Sequence, residues 1–152
     1  MKIEELVYKN IKKGHFIYKR FQKNKVLNVS DMNDIQWFAL ESNYGPDSYG
    51  PIVNTYSFKE KPRLIDIGKM NNRDYIEKCI SEYEPKFNQI SDPDYQYSGG
   101  DGNYKYHKFV KTYFGKDFDG TIIIEQEVDD SDLEGPTEIV LWKNFSTLIK
   151  KL

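Results

Sequence analysis

Glu138-Ile139-Val140-Leu141-Trp142 is a run of four apolar residues opened by a carboxylate. β-branched and aromatic side chains suit a pleated, packed surface, so the run reads as a buried strand with a charged residue at its mouth. Two earlier stretches have the same character, His15-Phe16-Ile17-Tyr18-Lys19-Arg20-Phe21 and Ile35-Gln36-Trp37-Phe38-Ala39-Leu40. Strand alternation sets Phe16, Tyr18 and Arg20 on one side of the first, and Ile17, Lys19 and Phe21 on the other. A further strand-like run opens at Phe118-Asp119-Gly120 and covers 119–128.

The remaining elements follow from periodicity and punctuation. Ile3, Leu6, Val7 and Ile11 fall on one face of a helix over 2–13, which Gly14 stops. Residues 23–33 are a polar loop, and 43–51 carry turn chemistry. Residues 52–59 alternate as a strand with Ile52, Asn54, Tyr56 and Phe58 on one face. After Pro62 comes the run Arg63-Leu64-Ile65-Asp66-Ile67, closed by Gly68, either the second arm of a hairpin or the same strand after a bend. Asn71 or Asn72 caps a helix over 73–84, with Ile76, Cys79, Ile80 and Tyr83 inward and Pro85 ending it. A long loop spans 86–103. A second helix spans 104–114, with Tyr106, Phe109, Val110, Tyr113 and Phe114 apolar and Gly115 as its cap. The end of the chain, 145–152, reads as a helical turn. With no internal repeat and no linker, 1–152 is one domain. Short strands dominate, so the class is α+β with a mixed or antiparallel sheet flanked by helices.

Composition narrows the function classes. The 152 residues carry 30% charged side chains at a net charge of −2, so no global field draws the chain to nucleic acid or anionic membrane. Twelve Tyr, nine Phe and two Trp supply large contact areas with polar tips. One cysteine, Cys79, cannot form an internal disulfide, which fits a reducing, cytoplasmic compartment and a structural thiol. The opening Met-Lys-Ile-Glu-Glu is unlike a signal peptide, and no apolar run approaches the ~18 residues of a membrane span.

Most chemical motifs are missing. The glycine-rich 98–102 loop lacks a following GK[ST] and reads as a turn. His15 and His107 stand far apart with no cysteine pattern, so no metal site is expected. No GxSxG is present. Asp129, Asp130, Asp132 and Glu134 lack calcium-loop spacing and read as a solvated turn. Glu125 and Glu127 share a face where a strand leaves the core. Glu138 stands apart. A carboxylate at a strand mouth can hydrogen-bond a ribose hydroxyl and stabilise positive charge at an anomeric carbon.

Taken in order, the segments resemble the ADP-ribosyltransferase family over roughly residues 15–145. Ile17-Tyr18-Lys19-Arg20 stands where the family has its first-strand Tyr-His or Tyr-Arg pair. Trp37-Phe38-Ala39, with Tyr44 or Tyr49 after it, is similar to the family's aromatic and hydroxyl motif. Thr137-Glu138-Ile139-Val140-Leu141 resembles its glutamate-led late strand. The resemblance implies small sheets that split around an NAD-binding cleft, with NAD as cofactor and a macromolecular acceptor, a protein in preference to nucleic acid. It implies Glu138 as the catalytic residue on the nicotinamide ribose, and Tyr18, Lys19, Arg20, Phe38 and Tyr44 as NAD-binding residues. Two positions depart from the pattern. Lys19 is a point cation without the planar fork of arginine. Ala39 has a methyl where the family has a hydroxyl. These departures support an alternative, a catalytically inactive module on the same scaffold that binds a protein through Tyr95, Tyr97, Tyr104 and Tyr106. Those tyrosines with Lys105, Lys108 and Lys111 form a third and weaker nucleic-acid reading, which the acidic balance opposes.

Overall fold

The computed structural model describes residues 3–21, 36–40, 51–89, 104–123, 138–142 and 145–152. The 23–33 loop, the 43–50 turn with Tyr44 and Tyr49, the 98–102 loop, Tyr95, Tyr97, the Glu125 and Glu127 pair and the acidic 129–134 stretch lie outside those residues.

The described strands are β1 (Val7–Tyr8), β2 (Phe16–Phe21), β3 (Gln36–Ala39), β4 (Ile52–Phe58), β5 (Leu64–Asp66), β6 (Gly120–Ile123), β7 (Glu138–Leu141) and β8 (Ile149–Lys151). They form one eight-stranded sheet in the order β1-β5-β6-β7-β3-β2-β4-β8, where the resemblance implied two small sheets. β5 and β6 pair in parallel, and the other neighbouring strands pair antiparallel. A parallel pair needs a crossover, and helices α1 (Met70–Tyr83) and α2 (Tyr104–Phe114) lie along it. The class is therefore α+β with a mixed sheet.

The sheet is packed on both faces. Ile65, Ile123 and Val140 meet Ile76, Ile80, Phe109 and Val110 from the two helices. Ile17, Phe38, Tyr56, Phe58, Leu64, Ile122, Ile139 and Leu141 form the opposite core with Ile11 and Leu148. Burial on both sides explains why β5 and β6 are buried throughout rather than alternating. β4 buries Asn54, Tyr56 and Phe58 of the face expected of it, but Ile52 is half-buried and Ser57 on the other face is buried too.

Both chain ends depart from expectation. The N-terminal stretch is a 3-10 turn (Ile3–Leu6) followed by β1, not a helix over 2–13. Leu6 belongs to the helix-side core and Ile11 to the opposite one, so a single helical stripe could not have served both. β1 instead pairs Val7 with Ile65 and Tyr8 with Leu64. At the other end one helical turn, α3 (Phe145–Leu148), gives way to β8, which pairs Phe58 with Ile149. The open edge of β4 offers backbone partners that a short terminal helix lacks. Nor do β4 and β5 form a hairpin or one bent strand. β4 lies between β2 and β8, and β5 between β1 and β6, so residues 59–63 carry the chain across the sheet.

The helices follow their periodicity with two corrections. α1 begins at Met70, and its cap residue Lys69 makes no side-chain cap bond. Asn72, expected as a cap, donates from Nδ2 to the Asp66 carbonyl at 2.5 Å and so ties the helix start to β5. Tyr83, expected inward, is 74% exposed. Cys79 is a free, half-buried thiol against the helix-side core. Among the described residues no helix is long and apolar enough to cross a membrane.

A polar clamp joins the two helices. Tyr106 donates to Glu77 at 2.6 Å, Lys105 lies 2.5 Å from the same carboxylate, and the Arg73 guanidinium sits 4.6 Å over the Tyr106 ring. Burial alone would raise the Glu77 carboxyl, but hydrogen bonds from Lys105 and Tyr106 outweigh it and hold Glu77 below its ordinary 4.5. Burial, and then the bond to Glu77, pushes Tyr106 up to about 12. A lowered carboxyl stabilises the fold above its unfolded value and loses that contribution as pH falls through the folded one. A raised phenol contributes below 10.0 and loses it as pH rises towards about 12. Tyr106→Phe is therefore expected to cost ~1 kcal/mol at neutral pH in urea unfolding. The difference from wild type should shrink towards both ends of that window.

Candidate functional site

Strand register brings the three motif-bearing segments together. β2, β3 and β7 are consecutive neighbours in the sheet. Tyr18 pairs with Ala39, Ala39 with Glu138, and Glu138 with Ile123 on β6. Partners directly opposite one another share a face, so Tyr18, Ala39, Glu138 and Ile123 form one row on the helix-covered side. Glu138 opens β7 opposite the last residue of β3 and the last of β6, so it sits at the end of the described part of these strands. Its side chain keeps 19% of its surface open to solvent.

The other expected residues divide. Lys19 and Phe38 come together, with the Lys19 ammonium 5.3 Å over the Phe38 ring. Phe38 belongs to the core on the far side of the sheet from Glu138. Lys19 also donates from Nζ to the Trp37 carbonyl at 2.9 Å, which laces β2 to β3. Arg20 takes its place in β2 opposite Val53. Tyr44 lies outside the described residues. Lys19→Met is expected to cost ~1 kcal/mol of stability in urea unfolding, because it removes that lacing bond. An unchanged midpoint would mean that the bond does not hold the two strands together.

The structure adds a residue that no motif marks. His107 of α2 is completely buried, with its Nδ1 2.6 Å from Thr121 Oγ1 on β6. Its Nε2 lies 3.8 Å from Glu138 Oε1. Its ring meets Trp37 edge-on, with centroids 4.7 Å apart and planes at 90°. Thr121 and Trp37 are both register partners of Val140, so they lie in the row next to that of Glu138, on neighbouring strands. One helix thus lowers an imidazole into a frame of three adjacent strands. A zinc pattern is the wrong test for such a residue. The spacing of His107 to Val110 and Phe114 is i, i+3, i+7, which puts it on the buried stripe of α2. That spacing is the signal in the sequence for a buried imidazole.

Chemically, a partly exposed carboxylate backed by a buried imidazole is suited to hold a hydroxyl and to face developing positive charge. Among the described residues no group of three or more His, Cys, Asp or Glu is placed to hold a metal ion. No family model, curated protein or solved structure matches the chain.

Proposed function

We propose that the chain is a divergent ADP-ribosyltransferase-like protein that binds NAD and transfers ADP-ribose to a macromolecular target, a protein. The observation that supports this reading is the registered row of Tyr18, Ala39 and Glu138. Three segments singled out for their likeness to the family's motifs, and widely separated in sequence, lie on adjacent strands and in one row. On this reading the NAD cleft opens where β7 begins, with Tyr18 beside the nicotinamide ribose. The Glu138 carboxylate accepts a hydrogen bond from the ribose 2′-hydroxyl. The bond between the anomeric carbon and nicotinamide breaks, and its electron pair leaves with nicotinamide as a neutral base. The carboxylate faces the cationic sugar that results. A nucleophile on the target then bonds to the anomeric carbon and gives up its proton.

A calorimetric NAD titration of the purified protein, paired with an assay of nicotinamide release, tests the reading. Saturable binding with release supports it, and no binding at millimolar NAD overturns it. The Ala39 methyl in the middle of the row favours a second reading, an inactive module that binds a protein partner. Saturable capture of a partner without nicotinamide release would support that reading.

A further inference from the structure

We propose that His107 is a positioning residue for Glu138, its Nε2–H holding the carboxylate at the strand mouth while the Thr121 hydroxyl fixes the ring's tautomer. The inference rests on the transferase reading for its catalytic consequence, but the contact itself does not. A carboxylate can only accept a hydrogen bond, whereas a threonine hydroxyl can donate or accept. If Nδ1 carried the proton of a neutral ring, the Nε2 lone pair would face the Glu138 oxygen at 3.8 Å, which is repulsive. With the proton on Nε2, Nδ1 becomes an acceptor, and Thr121 Oγ1 is the donor at 2.6 Å. The Thr121 contact is then a hydrogen bond, and the Nε2–H dipole points at the carboxylate from 3.8 Å.

The surroundings limit the ring to this orientation. His107 is fully buried, and Trp37 closes on it edge-to-face. Thr121 and Glu138 lie on adjacent strands, since Thr121 pairs with Val140 and Ile123 with Glu138. The two ring nitrogens therefore reach two strands at once. An ordinary core histidine satisfied by Thr121 alone would need only Nδ1, a role an asparagine amide could fill. The second nitrogen, 3.8 Å from the buried Oε1 of a side chain that is 19% exposed as a whole, is what a positioning role requires. At 3.8 Å the contact is a charge–dipole one, longer than a hydrogen bond.

Ring-nitrogen NMR at neutral pH tests the contact without reference to activity. The chain has two histidines, so a His15→Gln variant identifies the His107 signals. The expected result is an Nε2–H tautomer whose nitrogen shifts move in Glu138→Gln and again in Thr121→Val. An Nδ1–H tautomer, or a His107 pattern that Glu138→Gln leaves unmoved, overturns the proposal. Kinetics then test the consequence. His107→Leu should lower kcat for nicotinamide release by about ten- to a hundredfold with little change in KM, and His107→Gln, which keeps an N–H donor, should recover part of it. An unchanged kcat in His107→Leu overturns the positioning role while leaving the transferase reading intact. A wild-type protein that releases no nicotinamide overturns the transferase reading, and the ring-nitrogen spectra still decide the contact.

Discussion

Glu138→Gln is expected to lower nicotinamide release by at least about a hundredfold, the scale on which one preorganised electrostatic group contributes to a transition state. Glutamine keeps the length and shape of the side chain and still has a carbonyl oxygen for a ribose hydroxyl. On the transferase reading it loses the negative charge that meets the cationic sugar, so the loss should fall on kcat more than on KM. The fold should tolerate the change. The change removes a charge without altering the side chain's size, and 19% of that side chain is exposed. The thermal midpoint should move by no more than roughly 2–4 °C, which corresponds to about 1 kcal/mol for a chain of this size. A variant that releases nicotinamide at the wild-type rate would remove Glu138 from the chemistry and the transferase reading with it. A variant that unfolds would show instead that the carboxylate and His107 form part of the core.

The strands that carry this row are legible in the sequence because their patterns are local. β2, β4 and β7 are runs whose alternation or apolar density survives whatever lies beside them. α2 is legible for the same reason, since its apolar stripe is dense. The chain ends are not, because their outcome is a competition settled elsewhere. Leu6 and Ile11 look like one helical stripe until the sheet between their two cores is known. β8 exists because β4 has an open edge, which no property of 149–151 announces. The site shows the same division. Glu138 can be read from its place before an apolar strand. The face on which Phe38 lies with Lys19 beside it, away from Glu138, follows only from the pairing of β3 with β7. The spacing in α2 marks His107 as buried but not its partners, because Thr121, Glu138 and Trp37 come from three separate strands.

Gly120→Ala is expected to be the most damaging single-methyl change in the described core, at about 3 kcal/mol, the upper end of what overpacking costs. Gly120 pairs with Leu64 on β5 and with Leu141 on β7, so it lies inside the sheet with neighbours on both sides. Its backbone φ is not positive, so the need for glycine is one of space. A Cβ there would fall well inside contact distance of the Val140 carbonyl oxygen and 3.0 Å from Leu141 Cδ2. The strand has little room to retreat. Asp119 donates its N–H to the Arg63 carbonyl at 2.8 Å, and its own carbonyl accepts from Trp142 N at 3.1 Å. The Asp119 carboxylate accepts from Arg63 N at 2.7 Å. Gly14 is the useful contrast. It has a φ of 86°, and a methyl there would meet nothing within 4 Å, so Gly14→Ala should cost only the ~1 kcal/mol of a left-handed alanine. Urea midpoints with unchanged slopes would separate the two. The larger effect also reaches the site. Thr121 follows Gly120, and Val140 lies opposite Thr121 in the strand that Glu138 opens. Prising β6 from β7 would pull the Thr121 end of His107 away from the Glu138 end. Gly120→Ala should therefore lose nicotinamide release even under conditions where it remains folded. A cost below about 1 kcal/mol would mean that the two strands relax apart freely, and that their close approach does not set the geometry around Glu138.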